Sequence, residues 1–274
     1  FWGSSKFLPL PDAPPRRTRV EEPRRDFVAN VSHELKTPVG AIGLLAETME
    51  DAADDPEAVR RFARRMHDES TRLTMLVKEI IELSRVQAAS DLLDAAEVDI
   101  DKVIAEATSL NANFAEASGI RINVGGTDGL QAFGSTSMLT TAVSNLISNA
   151  ITYSPENTTI GISTRTDRGM VEVSVKDEGI GISQENLGRV FERFYRVDKA
   201  RSRATGGTGL GLSIVKHIAS NHGGDVVAWS KEGSGSTFTL RIPELHAHGT
   251  IESKSHHNTA VTDRRGSVPV TVGD

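Results

Sequence analysis

Residues 27 to 45, FVANVSHELKTPVGAIGLL, place a histidine, a carboxylate, a hydroxyl and a proline close together. A carboxylate that holds one ring nitrogen of an imidazole fixes its tautomer, and the other nitrogen's lone pair is then free to attack an electrophile. His33 is the candidate nucleophile and Glu34 its candidate base. A zinc site of the HExxH type needs histidine at position 37, where this chain has Thr37, so that metal chemistry is excluded here. Pro38 carries no N–H, so the carbonyl of Glu34 loses its helical partner, at a cost of about 3 kcal/mol in a regular helix interior. The bend this predicts falls beside His33 and opens space around it.

Three further clusters bear chemistry. In VKDEGIGIS, Asp177, Gly179 and Gly181 form D-x-G-x-G at the end of a predicted strand. A carboxylate there, with glycines that let backbone approach a ligand, can accept from an exocyclic amine such as that of adenine. RATGGTGLGLSIVKHI puts glycines at the start of a predicted helix, where backbone N–H groups favour phosphate. Neither G-x-G-x-x-G nor a P-loop fits, which leaves a phosphate site of another kind or a flexible loop. LTTAVSNLISNAITYS carries Asn145 and Asn149 on one helical face, and their amide oxygens suit Mg²⁺. The tail histidines His246, His248, His256 and His257 read as incidental.

These groups need elements to hold them. Val31, Leu35, Pro38, Ile42, Leu45 and Met49 recur at helical spacing, as do Val59, Phe62, Met66, Leu73, Leu76, Ile80 and Leu83. His33 lies two residues from Val31 and from Leu35, so it points about 200° away from that seam, toward solvent. Two such helices in hairpin order leave narrow apolar seams that one hairpin cannot bury, and a dimeric four-helix bundle is the simplest remedy. Beyond EDAADDPEA and the second helix, the pattern becomes mixed. It predicts helices near 100–117, 136–152 and 209–221, with strands at IRINV, TIGIST, MVEVSVKD, DVVAWS and STFTLRIP. That order suggests an α+β sandwich, one mixed sheet under a helical layer.

The chain has 274 residues, which at about 150 per domain is a prior for two domains. Its 38% hydrophobic and 25% charged residues suit a soluble globular protein. No apolar run approaches the roughly 20 residues needed to cross a bilayer, so the chain is not expected to span a membrane. The absence of cysteine rules out disulfides and thiolate metal sites and fits a reducing compartment, with the cytoplasm as default. A net charge of −6 disfavours a nucleic-acid binder. The first residue is Phe1 and the first segment is neither a signal nor a transit peptide, so the chain reads as a piece of a longer protein.

HELKTP, NLISNAITYS, DEGIGI, FERFYR, GGTGLGLSIVKHI and EGSGSTF follow one another over about residues 24 to 243. This series resembles the bacterial two-component sensor histidine kinases, in which a HisKA-type dimerization and phosphotransfer hairpin precedes a GHKL (Bergerat) ATP-binding domain. Within them it is most similar to PhoR-like, phosphate-responsive kinases of actinobacteria. The resemblance implies a linker over 1–22, the hairpin domain over 23–90, a hinge over 91–97, the ATP-binding α+β two-layer sandwich over 98–244 and a disordered tail over 245–274. It implies ATP and Mg²⁺ as cofactors, a homodimer, a response regulator as partner, and a cytoplasmic location within a membrane-anchored protein.

By the same resemblance His33 is the phosphoacceptor, Glu34 its base, and Thr37 a guide for the water that dephosphorylates the regulator. Asn149 is the main Mg²⁺ ligand with Asn145 beside it, Asp177 reads the adenine amine, Gly179 and Gly181 shape that turn, and Tyr153 lies against the base. Residues 191 to 209 form a lid from which Arg196 reaches the γ-phosphate, while Gly207, Thr208, Gly209, Leu210 and Gly211 surround the phosphates. The chain departs from the pattern at Thr152, where many relatives carry lysine. Water-hydrolysing ATPases of the Hsp90 and MutL kind share the fold but carry a basic glutamate on the asparagine helix, where this chain has Asn145.

Overall fold

A computed structural model describes residues 21–88, 95–198 and 207–245. The expectations for most of the N-terminal linker, for most of the hinge, for the middle of the lid and for the tail with its histidines lie outside the described residues.

Helices α1 (Glu21–Asp51) and α2 (Pro56–Ala88) pack as a hairpin. α1 starts two residues before Pro23, which therefore falls in the first turn, where its missing N–H is harmless. Asp55 Oδ1 accepts from the N–H groups of Glu57 (3.0 Å) and Ala58 (3.1 Å), capping α2 at a proline-first start. α1 remains one helix through Pro38, which is itself buried. Most of the predicted seam is only half-buried, with Leu76 and Leu83 of α2 fully covered. No described helix is long and apolar enough to cross a membrane.

The remaining elements are β1 (Ala96–Asp99), α3 (Ile100–Ala117), β2 (Arg121–Gly126), β3 (Gln131–Gly134), α4 (Thr136–Tyr153), β4 (Thr159–Asp167), β5 (Met170–Lys176), α5 (Gln184–Leu187), α6 (Gly211–Asn221), β6 (Asp225–Lys231) and β7 (Gly235–Pro243). The main sheet runs β2-β4-β5-β7-β6, with β2 and β4 parallel and the other pairs antiparallel. β1 and β3 form a separate antiparallel pair. Leu139, Val143, Leu146, Ile147 and Ala150 recur every three or four residues along α4 and are buried, together with Ile160, Ile162, Ile214, Ile218, Phe238 and Leu240 from the sheet and α6. Each large aliphatic side chain so covered contributes about 1.5–3 kcal/mol. The result is the two-layer α+β sandwich, and α4 is anchored by its apolar face while Asn145 and Asn149 remain partly accessible.

On the other face of the sheet Glu172 of β5 is clasped from both sides. Arg165 of β4 donates to it at 2.7 Å and Arg241 of β7 at 2.9 Å.

His222, just past α6, caps α4 from a distance. Its Nδ1–H donates to the carbonyl of Ile218 (2.8 Å), which leaves Nε2 to accept from the N–H of Ser135 (3.0 Å). Burial holds this imidazole below its ordinary 6.5. Protonation therefore reaches the unfolded chain first. The stability that neutral His222 contributes is present above pH 6.5 and is lost as pH falls from there through the folded value. His222→Ala is expected to cost about 1–3 kcal/mol, because the Ser135 N–H is left buried without an acceptor, and to flatten the acid limb of urea unfolding midpoints measured between pH 5 and 8.

The hairpin and the sandwich touch. Leu76, Leu83 and Val86 of α2 belong to the same apolar cluster as the sandwich core. Asn221 Nδ2 donates to the carbonyl of Val86 at 3.0 Å, and the rings of Phe27 and Phe194 lie 6.1 Å apart.

Candidate active site

His33 is exposed on α1, as its angular distance from the seam requires. The Thr37 hydroxyl donates to the His33 carbonyl at 3.2 Å, one turn along. Glu34 faces elsewhere, since neighbours in a helix do not share a face. Its Oε2 accepts from Arg196 at 2.7 Å and lies 3.7 Å from Arg72, so the structure does not bring Glu34 onto His33. Arg196 comes from the segment after β5, and its side chain is only 6% exposed.

Arg196 also lines a cleft of about 220 Å³ between α4, the end of β5 and the start of α6. Asn145, Asn149 and Tyr153 follow one another at i, i+4 and i+8 along its α4 wall. Asp177 sits at the floor, 3% exposed. One of its oxygens accepts from the N–H of Gly179 (2.8 Å) and of Ser236 (3.0 Å). Burial raises its pKa, and those two N–H groups act against the rise. The second oxygen is left to accept from a ligand. Gly181 turns the chain with φ +73°, and a Cβ there would stand 2.1 Å from the Lys231 carbonyl oxygen, so no other residue fits.

The phosphate-like end is built by Gly207 to Gly211. Thr208 is buried, its Oγ accepts from the N–H of Leu210 at 3.2 Å, and its carbonyl accepts from Arg196 at 2.9 Å. The Gly209 carbonyl accepts from the Phe194 N–H at 2.8 Å, tying the backbone near Arg196 to the turn before α6. α6 begins at Gly211, two residues later than the sequence predicts, because Gly209 takes φ +79° and cannot continue a helix.

Two features test whether a nucleotide with a hard cation fits. Asn145 Nδ2 donates to the Thr141 carbonyl at 3.0 Å, so its Oδ1 turns to the cleft, where a Cβ on Gly211 would meet it at 3.0 Å. Amide oxygens of this kind, beside phosphate and water, suit Mg²⁺. Arg196 Nε is buried with no partner among the described residues, a donor available for an anion. The residues present therefore fit the group.

Sequence reasoning missed Glu79 and Arg72, both on α2. Glu79 enters this cleft and accepts from the Thr208 hydroxyl, and Arg72 approaches Glu34. In the sequence each is one charge among many on an amphipathic helix, and nothing local marks them.

A family model for the His Kinase A (phospho-acceptor) domain matches residues 23–89, and one for the histidine kinase-, DNA gyrase B- and HSP90-like ATPases matches 134–246. The chain belongs to the histidine kinases. Its relatives include the sensor-like histidine kinase SenX3 of Mycolicibacterium smegmatis, 56% identical over 226 residues, covering 82% of this chain and 59% of that protein. The phosphate regulon sensor protein PhoR of Pseudomonas aeruginosa is 36% identical over 244 residues, covering 88% and 55%. Both are consistent with a PhoR-like actinobacterial subfamily. The chain spans a little over half the length of these curated relatives. Among solved structures, histidine kinase ThkA in complex with response regulator protein TrrA aligns with TM-score 0.66 and 25% identity over 85% of this chain and 66% of that one. Acinetobacter baumannii AdeS aligns with TM-score 0.60 at 23% identity, over 77% of this chain and 97% of its own, a likeness of fold.

Proposed function

We propose that this chain is the cytoplasmic kinase core of a membrane-anchored bacterial sensor histidine kinase. It transfers the γ-phosphoryl group of ATP to His33 and from there to an aspartate of a response regulator. The observation that carries the reading is Arg196, which lines the cleft and bonds the residue next to His33, so one side chain links nucleotide site and phosphoacceptor.

In this reading Asp177 accepts from the adenine amine, with Gly179 and Gly181 shaping its turn and Tyr153 beside the base. Asn149 and Asn145 would hold Mg²⁺, which would supply charge neutralisation on the phosphates. Gly207, Thr208, Gly209 and Gly211 offer backbone N–H groups to the same oxygens, while the N–H of Leu210 holds the Thr208 hydroxyl in place beside them. His33 attacks the γ-phosphorus in line, the bond to the bridging oxygen breaks and ADP leaves, Glu34 takes the imidazole proton once Arg196 lets go, and Arg196 turns its donors to the γ-phosphate. Thr37 orients water when the core acts as a phosphatase of the regulator. The units are residues 23–90 and 98–244, joined by a hinge at 91–97 that lets the ATP-binding unit move across the hairpin. A homodimer is supported by the exposed Val28, Val39, Leu44, Met75, Val77 and Ile81 on the hairpin, apolar surface that a second copy would cover. SenX3, named a sensor-like histidine kinase, and PhoR, named a phosphate regulon sensor protein, support the sensor kinase reading, and the complex of ThkA with response regulator protein TrrA supports the regulator.

Incubation with Mg²⁺ and γ-labelled ATP tests this. Label that is lost in acid, survives base and passes to a receiver aspartate is the expected result. Label stable to acid, or none while ATP still binds, would sink the reading.

A further inference from the structure

Among the described residues that line the cleft, Glu79 is the one that comes from the hairpin. It reaches in from α2 and takes the hydroxyl hydrogen of Thr208, the residue between Gly207 and Gly209 at the phosphate-like end. The charged groups around it are Lys78 and Glu82 on its own helix and Arg196 on the lid. Arg196 is already committed to Glu34. Burial, the largest influence, pushes Glu79 up to about 7 despite its bond to Thr208. A polyphosphate arriving at Thr208 would bring several negative charges against this buried carboxyl.

We infer that Glu79 is a specificity residue that screens nucleotides by phosphate charge: with hairpin and sandwich docked, its carboxyl occupies the phosphate end of the cleft and leaves the Asp177 end open. Adenosine can enter the docked form. ATP must displace Glu79 from Thr208, and in doing so it loosens the contact that holds Arg196 on Glu34. Nucleotide entry and release of the base next to His33 become one event. The inference rests on reading the cleft as a nucleotide site.

Calorimetric titration of the full chain with ATP, ADP and adenosine tests it, in the wild type, Glu79→Gln, Glu79→Ala and Glu82→Gln. Loss of the carboxylate in either Glu79 variant is expected to tighten ATP about tenfold and leave adenosine unchanged. Glu82→Gln, which removes a charge not bonded to Thr208, is expected to stay within about twofold of wild type. Unchanged ATP affinity in both Glu79 variants, or an equal gain for adenosine, overturns the inference while nucleotide binding stands. Failure of the wild type to bind either ligand overturns the nucleotide reading, and this inference with it.

Discussion

His33→Gln is expected to abolish phosphorylation, lowering the labelling rate by at least about 1,000-fold, while the Kd for ATP stays at its wild-type value. Glutamine keeps the polarity and much of the length of the side chain but has no basic lone pair, so nucleophilic attack is lost and little else changes. His33 is exposed and makes none of the side-chain bonds that hold α1, and glutamine is at least as good a helix former, so the fold is not expected to suffer. Label counting with and without acid treatment reads the result, with circular dichroism as the control for structure. Persistent acid-labile label in the variant would move the phosphoacceptor to another histidine, such as His67 on α2 or His217 on α6.

Asp177→Asn is expected to weaken ATP about 100-fold, the scale of losing a charged, buried hydrogen bond and replacing it with a clash of donors. The reason lies in the two backbone N–H groups of Gly179 and Ser236. They demand an oxygen at Oδ1, so the asparagine must place its carbonyl there and turn its NH₂ into the cleft. That donor would face the adenine amine, also a donor. Inosine triphosphate carries a carbonyl at the same ring position, and the variant is expected to prefer it to ATP, reversing the wild-type order. Titration with both nucleotides decides. If ATP weakens by less than about threefold, Asp177 does not read the amine.

Asn145, Asn149, Tyr153 and Asp177, which line the cleft, were legible in the sequence because their signals are local. Asn145 and Asn149 share a helix face by spacing alone, and Asp177 with its glycines is a strand end followed by a turn. The outward direction of His33 follows from its distance to Val31 and Leu35. What the sequence could not supply is long-range. Glu34 and Arg196 are separated by 162 positions and Glu79 and Thr208 by 129, and no periodicity links either pair. The strands AEVD and QAFG were also missed, each four residues long and held by long-range pairing with the other. The later start of α6 turned on the backbone of Gly209, where a helical pattern in the letters continues but the φ angle does not.

The clasp of Arg165 and Arg241 on Glu172 has a bearing on how this protein can change. Glu172 lies within β5, five positions before Asp177, which follows directly on the last residue of that strand, and β5 is paired along both edges. A shift of one residue in that strand would invert every side chain, setting Glu172 among the buried aliphatics and swinging Asp177 out of the cleft. The place of Asp177 at the floor of the cleft is therefore fastened from the opposite face of the sheet, by the ion pairs of Glu172 with Arg165 and Arg241. A single deletion within Val173 to Lys176 will not be tolerated.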